Sequence, residues 1–287
     1  MYRSIAKKKM KKDMLKAVVL TVVLACTVSI SMAQQSTRDA IKYAESVNFD
    51  GIFNSQIDLE QCSYIQENNI ILSIIQENSN LLSIAKYKGA TDGLISSGSH
   101  TLHLNYTDPN DKSSRYIRMI TEHRQFNFEA GKSYHFALRK SEKYEWIIEE
   151  DSDSKVEYIK AFMEYTEANP DRMNGTWNCE KKHSLNTFLM QYTIEGNRIV
   201  FEGKNKRIDR PFVAEGRLLY NENIIIMFPE KATNNGREVE NFDREPKYVW
   251  YYTLTNDVLR IEGGRRFGNL KGLGLVWENT GEFRKTR

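Results

Sequence analysis

Eight runs between Asn174 and Phe283 alternate apolar and polar residues, and the connections between them alternate short and long. The runs cover 175–180, 187–195, 197–203, 212–220, 223–229, 247–255, 257–262 and 278–285. In the second, Phe188, Met190, Tyr192 and Ile194 share one face; in the sixth, Tyr248, Trp250, Tyr252 and Leu254 do. A period of two belongs to a strand with one face inside and the other wet. Glu195-Gly196-Asn197, Asn221-Glu222-Asn223 and Thr255-Asn256-Asp257 carry the residues that tight hairpins need. Four longer connections fall between them, at 181–186, 204–211, 230–246 and 263–277. In an up-and-down meander alternate connections share an end, so hairpins close one end and long loops rim the other. Closing the sheet leaves no free edge. An eight-stranded antiparallel barrel is the expected C-terminal fold, with Trp177, Tyr192, Tyr220, Trp250 and Tyr252 inside, together with Phe188, Phe201 and Phe228.

This loop alternation, with Gly175-x-Trp177 on the first strand, resembles the lipocalin-like (calycin) barrels. The resemblance implies that the Trp177 indole plugs the barrel floor at the closed end. It covers about 110 of the 287 residues. The barrel is shorter than a typical lipocalin, and the family's inter-loop disulfide has no counterpart here.

Residues 1–33 read as an export signal. Lys7–Lys12 is a positive stretch, Ala17–Ile30 an apolar run, and Ser31-Met32-Ala33 supplies small residues for cleavage before Gln34. The apolar run falls short of the roughly 20 residues of a comfortable membrane span. An uncleaved anchor is one alternative. A lipid anchor at Cys26, after Val23-Leu24-Ala25, is another, and once the signal is removed it is the expected route to a membrane surface. The expected location is therefore the periplasm, the outer membrane or the exterior. Removing Lys7, Lys8, Lys9, Lys11, Lys12 and Lys16 from a net charge of +3 leaves no basic bias, which argues against nucleic acid as a partner. Cys62 and Cys179 remain and read as unpaired buried thiols, with a disulfide between them as the alternative.

The segment 34–150 reads as a second β-domain. Its expected strands are 69–76, 80–87, 100–107, 115–122, 124–129, 133–140 and 144–149, separated by turn clusters at Gly89–Gly93, Asp108–Asp111 and Ala130–Lys132. Short strands at this spacing point to a small sandwich. The strand starts Gly98-Ser99-His100 and Gly131-Lys132-Ser133 loosely resemble the PEGA or carboxypeptidase-regulatory sandwiches of bacterial envelope proteins. Within 151–173, Val156, Ile159, Phe162 and Met163 take helical spacing, Ser154-x-x-Glu157 forms a capping box, and Asn169-Pro170 ends the helix. That helix is the expected connector to the barrel domain at 174–287, docked on one of the two β-domains.

Chemistry is sparse. His100 and His103 are three apart, which on a strand places them on opposite faces, so no metal or other cofactor is expected. There is no G-x-S-x-G and no H-E-x-x-H, and the acids cluster in solvated runs, so no catalytic residue is assigned; an unidentified hydrolase is the remote alternative. Basic residues gather instead at the long-loop end: Lys204, Arg207, Arg210, Arg265, Arg266 and Lys271 are the candidate rim, alongside Lys181, Lys182 and Lys206, partly offset by Glu238, Glu240, Asp243 and Glu245 of the third long loop, and an ordinary solvated rim is the alternative. Two functions fit. One is an envelope binding protein that takes a small, partly apolar or anionic molecule at that end. The other is a non-catalytic structural or protein-interaction module whose barrel is filled by its own side chains, since eight strands enclose little more than that.

Overall fold

The computed structural model describes residues 36–49, 52–53, 57–66, 71–74, 83–87, 90–111, 118–183, 186–207, 210–267 and 279–286. The signal reading at 1–33, Cys26 included, and Lys271 lie outside them. The described chain opens with a helix over 36–46 (α1) that the sequence reading did not anticipate. Strands β1 (Cys62–Gln66), β2 (Ile71–Ile74), β3 (Ser83–Tyr87), β4 (Ala90–Ser96), β5 (Gly98–Thr107), β6 (Met119–Phe128), β7 (Ser133–Lys140) and β8 (Tyr144–Glu150) follow. They form a five-stranded sheet, β3-β4-β1-β7-β8, and a three-stranded sheet, β2-β5-β6. Ile65, Ile95 and Phe136 of the first sheet share a core with Leu102, Leu104, Tyr106 and Phe128 of the second, so the two pack face to face.

Three expectations need correcting. Strand β1 was missed, although it is the centre of its sheet, antiparallel to β4 and parallel to β7. Four of its five residues are buried, so it shows no alternation to read. The stretch Ala90–Gly93, expected as a turn, opens β4. The expected strands 115–122 and 124–129 are one strand, β6, paired with β5 without a break from Gly98↔Phe128 to Thr107↔Met119.

The connector α2 (Lys155–Ala168) begins as expected, with the Ser154 side chain accepting from the Glu157 N–H at 3.1 Å. It docks on both β-units rather than one. Val156, Ile159 and Phe162 share a core with Ile41, Ala44, Val47 and Phe49 from the α1 region, with Cys62, Tyr64 and Leu94 of the N-terminal sheet, and with Leu219, Ile224, Ile226 and Val249 of the barrel wall. Thr166 Oγ1 accepts from the Tyr220 N–H at 3.0 Å, tying the helix end to the barrel. Lys247 Nζ donates to the Val47 and Glu45 carbonyls (2.6 and 3.0 Å), a cation at the C-terminal end of α1.

The barrel comprises β9 (Gly175–His183), β10 (Asn186–Glu195), β11 (Arg198–Asn205), β12 (Phe212–Tyr220), β13 (Ile224–Asn234), β15 (Tyr248–Thr255), β16 (Val258–Glu262) and β17 (Gly281–Lys285); the two-residue β14 (Arg237–Glu238) folds back on β13. Each strand pairs antiparallel with the next, and β17 closes on β9 through Arg284↔Asn178 and Lys285↔Trp177. All eight expected runs are strands of this closed sheet. One loop differs. The β9–β10 ladder runs out to His183↔Asn186, so 181–183 and 186, expected within a long connection, belong to the strands. The long connections at that end are 206–211, 235–247 and 263–280.

The barrel is less wet outside than alternation suggests. The apolar run Ile224-Ile225-Ile226-Met227-Phe228 puts Ile225 and Met227 inside and Ile224 and Ile226 under the helices. Phe228 therefore faces out, against Phe49 and Phe53 (6.1 and 5.1 Å between ring centroids), and not into the interior as expected.

Candidate functional site

At the short-hairpin end Gly196 and Asn256 take left-handed backbone, and the Asn221 side chain accepts from the Asn223 and Ile224 N–H groups. Few side chains project there. Trp177 lies at this end, buried, with Nε1 donating to the Met173 carbonyl at 2.9 Å and Lys285 Nζ 5.2 Å from its ring centre. Tyr192, Tyr220, Trp250 and Tyr252 are buried in the same core, and Phe188 packs at its edge.

The opposite end is closed by its own loops. From β16 the chain turns through Gly263 and Gly264, both at positive φ. At Gly264 an added Cβ would stand 1.8 Å from the Val249 carbonyl oxygen, so only glycine lets the loop approach β15 this closely. The loop then delivers Phe267, whose ring sits 4.7 Å from Tyr248, 5.0 Å from Phe201, 5.6 Å from Trp250 and 6.0 Å from Phe212. Phe201 and Phe212 belong to β11 and β12, across the barrel from β16, so the segment 263–267 spans the mouth. A second plug comes from the 3₁₀ turn Phe242–Arg244: Phe242 stacks on Tyr248, which stacks on Trp250.

The rim charges divide by role. The Arg265 guanidinium pairs with the Glu245 carboxylate and lies 5.1 Å from the Tyr248 ring centre, while its carbonyl accepts from Trp250 Nε1 at 2.9 Å. It ties two loops over the mouth. Lys204 alternates with Phe201 and Gly203 along β11 and so belongs to the outer wall. Arg207, Arg210 and Arg266 are exposed at the loop end, and Lys206 pairs with Glu180 at 3.3 Å. Of the expected rim, Arg207, Arg210 and Arg266 stand exposed around the strap that Arg265 ties down, and nothing in the sequence marked Phe242 and Phe267 as the plugs.

One interior feature is polar. Asn279 is fully buried, its carbonyl accepts from the Tyr192 hydroxyl at 2.8 Å, and neither side-chain amide atom has a hydrogen-bond partner among the described residues. Burial pushes the Tyr192 hydroxyl well above its ordinary pKa, so it stays a donor.

Elsewhere the nearest approach to acid–base chemistry is at the seam of α2 and the sandwich. His135 Nδ1 lies 2.7 Å from Asp151 Oδ1, close but not aligned as a hydrogen bond, and Lys155 Nζ lies 3.3 Å from Asp151 Oδ2. The neighbouring hydroxyls are engaged: Ser133 Oγ accepts from the Lys155 N–H at 2.7 Å, and Ser154 donates to the Gly131 carbonyl. This cluster holds the helix start in place.

Both described cysteines are free thiols, in different cores: Cys62 in the interface beneath the helices, Cys179 against the barrel interior. Burial pushes the Cys62 thiol up to about 11, so thiolate is scarce at pH 8. A chain lacking residues 1–33 should, when native at pH 8, leave Cys62 unmodified by a thiol reagent, and two thiols should react once it is denatured without reductant. A count of zero after denaturation would show a disulfide and contradict the free pair.

The fold and this end define the class: a closed eight-stranded β-barrel with an aromatic interior, docked through helices on the five-stranded sheet of a smaller two-sheet unit. Comparison with protein-family models, curated proteins and solved structures finds no match for this chain.

Proposed function

We propose that the chain is a non-catalytic interaction module of the cell envelope, in which the barrel is a scaffold and its loop end the contact surface. One observation carries this reading: Phe242 and Phe267 occupy the mouth through which a ligand would enter, packed on the aromatic rings within. A rigid barrel displaying three loops of varied sequence is a common platform for recognition. Exposed Arg207, Arg210 and Arg266, with Arg237 and Arg244, outnumber the exposed Glu238, Glu240 and Asp243 among the described residues of that end, a balance suited to an acidic partner. Export rests on the signal reading of 1–33. Kinship with lipocalin-like barrels is supported by closure and by the Trp177 indole at the short-hairpin end; kinship of the N-terminal sheets with PEGA-type sandwiches rests on their glycine-led strands alone. A second reading, a container for a small polar molecule, has the unpartnered Asn279 amide in its favour, since buried amides ordinarily find partners.

Photo-crosslinking residues placed at positions 207, 210 and 266 in the living host should capture a protein partner, while the same residue at 222 or 256 should not. The combined change Arg207→Glu, Arg210→Glu and Arg266→Glu should weaken that capture and leave the melting temperature within a few degrees of wild type. Equal capture from both ends would overturn the loop-end assignment.

A further inference from the structure

The sequence separates His103 from His123 by a long loop and sets His123 in an expected gap between strands; the folded hairpin brings them side by side. Strands β5 and β6 place His103 directly opposite His123. The same register makes Asp108 and Arg118 opposite, and the Asp108 N–H donates to the Arg118 carbonyl at 2.8 Å, so that pair is hydrogen-bonded. Bonded and non-bonded pairs alternate along an antiparallel ladder, and His103–His123 is five steps away. It is therefore a non-bonded pair, the kind whose side chains approach most closely. The imidazole centroids are 4.9 Å apart with the ring planes 43° from one another.

The surroundings suit a cation. The pair stands on the face of the three-stranded sheet turned away from the sandwich core, with His123 exposed and His103 half-buried. The pairs Thr101↔Gln125 and Asn105↔Thr121 flank it on the same face, and Ser73 of β2 stands opposite His103 on its other side. Every residue of β5 and β6 on this face, from Ser99 to Thr107 and from Met119 to Asn127 at alternate positions, is uncharged. No lysine or arginine of these strands stands on that face to repel a cation. His100 is set apart: it faces the other way, with Nε2 2.8 Å from the Ser96 carbonyl and its ring against Phe128.

We propose that His103 and His123 together chelate one divalent transition-metal ion. Imidazole nitrogen selects copper, nickel and zinc over calcium or magnesium, with Cu²⁺ held most tightly. Two protein ligands leave the remaining coordination positions to water or to a donor from a partner. The barrel function proposed above does not enter this argument, and neither result depends on the other.

The test is calorimetric titration of CuCl₂, and separately of ZnCl₂, into the mature chain in a non-coordinating buffer. Wild type should bind one ion at this site. His103→Ala and His123→Ala should each weaken it by at least about tenfold, the lower range for losing even an outer-shell contact. His100→Ala and His135→Ala should bind as wild type does. Electron paramagnetic resonance of the Cu²⁺ form should report two nitrogen ligands, falling to one in either variant. Circular dichroism melts should show both variants folded; should either be unfolded, His123→Gln takes its place. Unchanged affinity and an unchanged nitrogen count in the folded His103 and His123 variants would overturn the proposal, as would the absence of any ion bound by wild type.

Discussion

Trp177→Ala should cost the barrel about 3–5 kcal/mol, the usual penalty for truncating a buried tryptophan. The side chain is among the largest fully buried ones and stands where β9 meets both β10, at Tyr192, and the closing strand β17, at Lys285. Its loss removes apolar contact, leaves a cavity at the hairpin end, and orphans the Met173 carbonyl that its Nε1–H satisfies. Because closure through β17 rests on the same point, the variant should melt at lower temperature without changing any contact at the loop end. Urea denaturation gives the number directly. A loss below about 1 kcal/mol would mean that the indole does not floor the barrel.

Phe267→Ala should be comparably destabilising, about 3–5 kcal/mol, and should also change what the barrel can do. Its ring contacts Tyr248, Phe201, Trp250 and Phe212 from a loop, so truncation opens an apolar hollow at the mouth with little strand structure to collapse into it. Apolar cavities of this kind stay dry and accept apolar probes. Wild-type protein should leave the fluorescence of an apolar dye unchanged, and the variant should enhance it at stoichiometric concentration. Strong dye binding by wild type, unaltered by the substitution, would show that Phe267 does not fill the mouth.

The parts of the fold that were legible in the sequence are those where one physical signal acts alone. In β10 and β15 one face is apolar and the other polar, so period two is plain; in α2 the Ser154 cap, the Val156–Ile159–Phe162 stripe and Asn169-Pro170 agree. The parts missed are those where tertiary contact replaces that signal. Strand β1 is buried on both faces. Helix α1 has a short stripe, Ile41 and Ala44, that becomes apolar surface only against α2 and the barrel wall. Strand β6 was split at His123 because polar residues fill its outer face.

The candidate site shows the same division. Basic residues at the loop end can be read from composition and connection lengths. That Arg265 is spent on Glu245, twenty positions away, cannot, nor can the entry of Phe267 into the mouth, because both depend on which loops meet across the barrel. The His103–His123 pair depends on the register of one hairpin, and an expected boundary between 122 and 124 leaves His123 outside both strands.

The central claim is that this barrel is filled by its own side chains and works through its surface. Native mass spectrometry of the protein purified from its host, before any denaturing step, addresses that claim most directly. After removal of weakly held metal with a chelator, the account predicts the mass of the polypeptide alone, with no organic adduct. A stoichiometric small molecule retained under these conditions and released on unfolding would contradict it, and would make the buried Asn279 amide the first place to look for its anchor.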